Sequence, residues 1–228
     1  MNKWQEIWNK RSSSPESPTL DQLIKADGFD TGAGQFDQGS WVEYVNAVCA
    51  KLDVRATESM FEIGCGSGAF LYPLYQQGHS VAGVDYSRPL VELAEKAMPG
   101  MNFWVGEASK VQTDKLYDLC FSNSVFQYFP SLEYAETVLD KMARCARRCI
   151  AVLDINDLSQ REEALTTRRD ALSQEEYERK YDGLDHLFFD KDWFETWAKS
   201  RGLVLKIEDQ DIPGYINSSF RYNVFIYK

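Results

Sequence analysis

Met60-Phe61-Glu62-Ile63-Gly64-Cys65-Gly66-Ser67-Gly68-Ala69-Phe70 is the stretch on which the architecture of this chain turns. An apolar run ends in an acid, and glycines follow at alternate positions. This pattern is a strand entering a tight turn where another group must come close to the backbone. About twenty residues further on, His79-Ser80-Val81-Ala82-Gly83-Val84-Asp85 again runs from apolar residues into an acid. An open parallel sheet holds a nucleoside with a glycine turn and an acid at this spacing.

Alternation continues on the C-terminal side. Strands are expected at 59–63, 80–84, 102–105, 117–122 and 149–154, and helices at 68–77, from Ser87 to Pro99 and from Ser131 onward. Ser87 and Ser131 stand where helix caps belong, and Pro89 suits a first helical turn. Arg144, Arg147 and Arg148 read as the basic end of the last of these helices. Residues 157–182 are charged and helical in pattern, with Leu165 and Leu172 as apolar anchors, and read as an inserted surface helix. Trp193, Phe194 and Trp197 mark a helix over 191–200, and the strands 203–207 and 220–227 close the chain as a hairpin.

Before the sheet, residues 1–11 place Trp4, Ile7 and Trp8 on one helical face, and Leu20, Leu23 and Ile24 suggest a second helix. Trp41, Tyr44, Val45, Val48 and Leu52 give a third over 40–52. No strand precedes the glycines between Asp27 and Gly34, so that stretch reads as a mobile loop. The expected fold is α/β: a doubly wound, seven-stranded, mostly parallel sheet with a C-terminal antiparallel hairpin. One domain covers 1–228, with a helical cap over 1–55 and a lid-like insertion over 157–189.

The formal charge is −10 with a pI near 4.8, which repels phosphate backbones and argues against nucleic-acid partners. Five cysteines form no CxxC pair, and two histidines give a metal site little support. Free thiols, an opening without a leader pattern and no apolar run near 20 residues together suggest a soluble cytoplasmic chain with no membrane partner. Nothing in the sequence sets an oligomeric state.

Two ligand classes compete for the turn. Gly64-x-Gly66-x-x-Ala69 satisfies the dinucleotide fingerprint, which would make an oxidoreductase. Glu62 opposes it, because a carboxylate beside the turn repels a pyrophosphate. S-adenosylmethionine (SAM) has no phosphate and carries an ammonium and a sulfonium, which an acidic loop suits.

With these residues the chain resembles the class I SAM-dependent methyltransferases of small-molecule type, from about residue 41 onward. Glu62-Ile63-Gly64-Cys65-Gly66-Ser67-Gly68 looks like that family's first motif. The resemblance implies that the backbone of Gly64, Cys65 and Gly66 lies under the methionine moiety, with Glu62 near its ammonium. It implies Asp85 on the ribose hydroxyls, Tyr86 against adenine, Glu107 and Ala108 at the adenine edge, and Asn123-Ser124 beside the methionine. The product would be S-adenosylhomocysteine.

Methyl transfer from a sulfonium is an in-line displacement that needs alignment and exclusion of water, and a base only for a protonated acceptor. His186 is the first candidate for a base, and Tyr128 could bond the acceptor. Arg221 could clamp a substrate carboxylate or phosphate, or pair with an acid such as Asp209 or Asp211, and Asn217 lies in the same polar-aromatic run. Asp154, Asn156 and Asp157 offer only part of a divalent-metal set, so no metal is expected. The reading is transfer to an oxygen or nitrogen of a small molecule. A protein or peptide N-methyltransferase and a non-catalytic SAM-binding protein remain its rivals.

Overall fold

The computed structural model describes residues 3–11, 16–29, 35, 37–170, 173–181 and 184–228. Residues 30–34 of the glycine-rich stretch, and Leu172, lie outside them. Seven strands form one sheet: β1 Ser59–Ile63, β2 Ser80–Asp85, β3 Asn102–Val105, β4 Tyr117–Asn123, β5 Ala146–Asn156, β6 Val204–Asp209 and β7 Arg221–Tyr227. Their order is β3-β2-β1-β4-β5-β7-β6. Strands β1 to β5 pair in parallel, and β7 runs antiparallel to both β5 and β6. The order reverses between β1 and β4, so a crevice opens there at the carboxyl ends of the strands.

Strand alternation builds a core on each face. Leu119 and Phe121 of β4 point to one side with α3 (Gln38–Lys51), α4 (Tyr72–Gln76) and α5 (Arg88–Ala97). Cys120 points to the other, against α6 (Leu132–Cys145) and α9 (Lys191–Ser200). Two short helices, α1 (Lys3–Asn9) and α2 (Leu20–Ala26), precede this framework. Leu20, Leu23 and Ile24 are buried, as their spacing predicts. Thr19 closes a capping box with Gln22 at the start of α2.

Several local expectations change. The helix after the glycine turn starts at Tyr72, not at 68, because Gly68 sits in the left-handed region at φ 82° and Pro73 tolerates only a first turn. Ser131 caps α6 through the Tyr134 N–H at 3.2 Å. Ser87 makes no such bond, and its hydroxyl donates to the Trp8 carbonyl at 3.3 Å. Arg147 and Arg148 lie in β5, not at a helix end. Arg148 is there because Glu58 receives it in bidentate fashion, at 2.7 Å for each bond, with the Leu52 carbonyl at 2.6 Å. The charged 157–182 stretch forms two helices, α7 (Arg161–Asp170) and α8 (Gln174–Tyr181), and α7 buries no residue. Among the described residues no helix is long and apolar enough to cross a membrane.

Candidate active site

The glycine turn, the end of β2 and the end of β4 line a cleft, placed where open α/β sheets bind their ligands. Its walls bring together Glu62, Gly64, Cys65, Gly66, Asp85, Tyr86, Asn123, Ser124 and Tyr128. Sequence reasoning selected these residues from segments far apart in the chain. It also selected Glu107 and Ala108, which do not line the cleft. The exposed Glu107 side chain pairs with Lys110 at 3.0 Å.

Each acid is held differently. Glu62 is buried near the end of β1, and its Oε2 has no partner among the described residues. Burial, and then Asp27 and Asp85, raise its pKa well above the usual carboxyl value. Asp85 ends β2 and accepts from the Gly66 N–H at 3.0 Å and the Ser87 N–H at 2.8 Å. Burial still lifts its pKa to about 6 against those bonds. The third acid, Asp27, comes from the residue that ends α2 and escaped the sequence reading. It accepts from the Ser67 N–H at 2.7 Å and the Ala69 N–H at 3.3 Å, and burial raises its pKa to about 7. Gly66 makes this approach possible, since a Cβ there would collide with the Asp27 carboxylate. No local motif marks Asp27. The available signal was an acid just after a buried helix in the predicted cap.

Three carboxylates share this chamber, and no basic side chain lines it among the described residues. An orphaned buried carboxylate beside two others is a poor seat for a pyrophosphate and a good one for a ligand with two cationic centres. The residues present therefore fit SAM.

At the mouth, α1 lies over the 3₁₀ turn Phe126–Tyr128. Tyr128 packs edge-on to Trp4 and Trp8, at centroid distances of 4.8 and 5.5 Å, and 5.3 Å from His186. Trp4 also donates to the Asp185 carbonyl at 3.3 Å, which ties the cap to the loop that carries His186. His186 Nδ1 is 3.0 Å from an Arg168 guanidinium nitrogen. A guanidinium can only donate, so Nδ1 accepts and the ring proton sits on Nε2. Burial, with Arg168 and Arg221 nearby, holds the His186 pKa down to about 2. The imidazole is therefore a neutral donor in this arrangement, with its basic nitrogen engaged.

Asp154 accepts the 2.7 Å bond from Arg221 Nη1, rather than the Asp209 or Asp211 that sequence suggested. Asp209 pairs with Lys191 instead. Asp154 sits in a register shift between β5 and β7 at φ 57° and also receives the Tyr215 hydroxyl at 3.0 Å. The Asn217 amide reaches Tyr215 at 3.5 Å. Asn156 donates to the Leu187 carbonyl at 2.9 Å, and Asp157 accepts from Ser159 at 2.9 Å. These acids and amides are occupied by the protein itself. Among the described residues no cluster of metal-ligating side chains occurs.

The strand order, the acidic glycine turn at its switch point and the cation-seeking cleft define a nucleoside-binding transferase domain of Rossmann-like type. A family model described as a methyltransferase domain matches residues 61–149. Over that stretch, less than half of the chain, it is similar to SAM-dependent methyltransferases, whose cofactor is SAM. Magnesium protoporphyrin IX methyltransferase from Synechocystis, solved with S-adenosylhomocysteine, has the same fold with a TM-score of 0.64. It is 14% identical, and the match covers 98% of this chain and 93% of that one. The plantazolicin methyltransferase BpumL, also with S-adenosylhomocysteine, gives a TM-score of 0.63 at 17% identity, covering 99% and 97%. Among curated proteins, enniatin synthase from Fusarium equiseti is 28% identical over 152 residues. Those span 60% of this chain and only 5% of that much longer protein. Malonyl-[acyl-carrier protein] O-methyltransferase 1 from Ilyobacter polytropus is 29% identical over 117 residues, 48% of this chain and 44% of that one.

Proposed function

We propose that this protein methylates an oxygen or nitrogen of a small molecule, and that the acceptor atom already carries a free lone pair at neutral pH. A carboxylate oxygen is the foremost candidate. The observation that carries this reading is the state of Tyr128, which lines the cleft, and of His186, whose ring lies 5.3 Å from it. His186 is neutral with its lone pair engaged, and burial raises the Tyr128 phenol above its ordinary pKa. Neither is poised to take a proton, so an acceptor that needs none removed suits this site.

When bound, SAM supplies an electrophilic methyl carbon on a sulfonium. Glu62 would hold its ammonium, Asp85 its ribose hydroxyls and Tyr86 the adenine face, with Asn123 and Ser124 beside the methionine. Trp4, Trp8 and Tyr128 exclude water from the mouth, and His186 Nε2–H and Tyr128 orient the acceptor. In this reading the cap over 1–55 and the insertion over 157–189 enclose the acceptor. The net charge of −10 favours a free molecule over an acidic protein carrier.

Peptide N-methylation is the second reading. Similarity to part of proteins named nonribosomal peptide synthetases, such as dtxS1 from Metarhizium robertsii, 30% identical over 152 residues and 2% of that protein, favours it. Labelled methyl transfer from SAM to panels of carboxylic acids and of peptide amines separates the two. A methyl ester is released by alkali as methanol, whereas an N-methyl group survives. Alkali-labile label supports the carboxylate reading, and alkali-stable label on amines would replace it.

A further inference from the structure

Asp27 belongs to no motif of the sheet, yet it is the side chain most deeply engaged with the glycine turn. Its carboxylate spans the Ser67 and Ala69 N–H groups. The Ser67 hydroxyl returns a 3.0 Å bond to the Leu23 carbonyl, one turn earlier in α2. Trp41 Nε1 reaches the Ala69 carbonyl at 2.9 Å, so α2 and α3 both grip the same few backbone groups. Trp8 of α1 lies directly against Gly28, and its carbonyl receives Ser87. The contacts of the N-terminal helices thus converge on the floor of the cofactor cleft.

We propose that Asp27 is a cofactor-positioning residue, a latch that docks the N-terminal cap on the glycine turn and adds the third carboxylate of the cleft, so that cap closure and recognition of the cationic cofactor are one event. This rests on SAM as the cofactor. Charge and geometry support it together. The groups facing Asp27 are acids, Asp85 and Glu62, with the buried Cys65 thiol. Arg11 stands on the outer side, its guanidinium on the Lys25 carbonyl at 3.0 Å. The buried Oε2 of Glu62 has no partner among the described residues and lies in the same cleft as Asp27 and Asp85. Without a cation, three close carboxyls hold protons, and Asp27 titrates at about 7. Entry of a sulfonium and an ammonium drives those protons off. Affinity for SAM should therefore rise with pH through this range, more steeply than for S-adenosylhomocysteine, whose sulfur is uncharged.

The test is calorimetric titration of the full chain with SAM and with S-adenosylhomocysteine at pH 6.5, in two buffers of different ionisation enthalpy. Wild type should release protons on binding SAM and fewer on binding S-adenosylhomocysteine. Asp27→Asn keeps the shape and one acceptor, and it should bind SAM about tenfold more weakly with less proton release. Equal affinity and equal proton release in Asp27→Asn would overturn the inference while leaving SAM as cofactor. Failure of wild type to bind SAM would remove both. Hydrogen exchange on wild type needs no variant. SAM should slow exchange at Ser67, Ala69 and 20–29, and unchanged exchange there would also overturn the latch.

Discussion

Arg221 and Asp154 form an ion pair of 2.7 Å between β7 and β5, with side chains only 7% and 3% exposed. Arg221 Nη1 also donates to the Asp154 carbonyl at 3.0 Å. The pair explains how a non-glycine residue stays at positive φ in the register shift of β5.

Removal of one member strands the other. Arg221→Met should cost about 3–5 kcal/mol of unfolding free energy, because a buried carboxylate loses its charge partner. Urea denaturation at pH 7.5 measures it. A loss below about 1 kcal/mol, the scale of an exposed pair, would mean that Asp154 is solvated in solution.

His186→Gln should slow turnover and leave SAM affinity unchanged, because in the proposed function the side chain orients the acceptor and it does not line the cofactor cleft. Since His186 is held near 2, the pH–rate profiles of wild type and variant should have the same shape between pH 5.5 and 7.5. A wild-type inflection that vanishes in the variant would restore His186 as a base.

Asp27 and Asp85 have folded pKa values raised to about 7 and about 6 by burial. The folded protein therefore binds protons more tightly than the unfolded chain does. The stability they contribute is fully present below pH 4 and is lost as pH rises through 6 to 7. Glu58 and Asp118 are shifted downward and act in the opposite sense, at lower pH. The ligand-free protein should melt at higher temperature at pH 5.5 than at 7.5, and SAM should shrink the difference. A scanning calorimeter reads both.

Gly66→Ala should weaken SAM binding and loosen the cap together. The new methyl meets the Asp27 carboxylate, and φ at this position is 52°. Titration with SAM and proteolysis within 16–29 report the two effects. A variant with normal affinity and a protected cap would mean that the turn tolerates a side chain.

The sheet was legible because β1 to β5 each carry an apolar run bounded by a turn. Glu62 and Asp85 were legible because they stand at fixed distances from the glycines. Asp27 was not, since its bonds to Ser67 and Ala69 arise only when α2 docks. Asp154 was weighed as a metal ligand because its partner, Arg221, is far away in sequence and adjacent only through β5–β7 pairing. Arg148 looked like a helix-end cation for the same reason, as Glu58 reaches it across the fold. Local pattern reveals elements and turn-borne acids, whereas the partners of buried charges are set by tertiary register.

In the proposed function the acidic glycine turn binds SAM, with Asp85 as its ribose acid. Calorimetric titration of wild type and Asp85→Ala with SAM, beside NAD, tests it most directly. Wild type should bind SAM saturably, Asp85→Ala should bind it at least about tenfold more weakly, and neither should bind NAD. Equal SAM affinity in the two proteins, or binding of NAD in place of SAM, would contradict it.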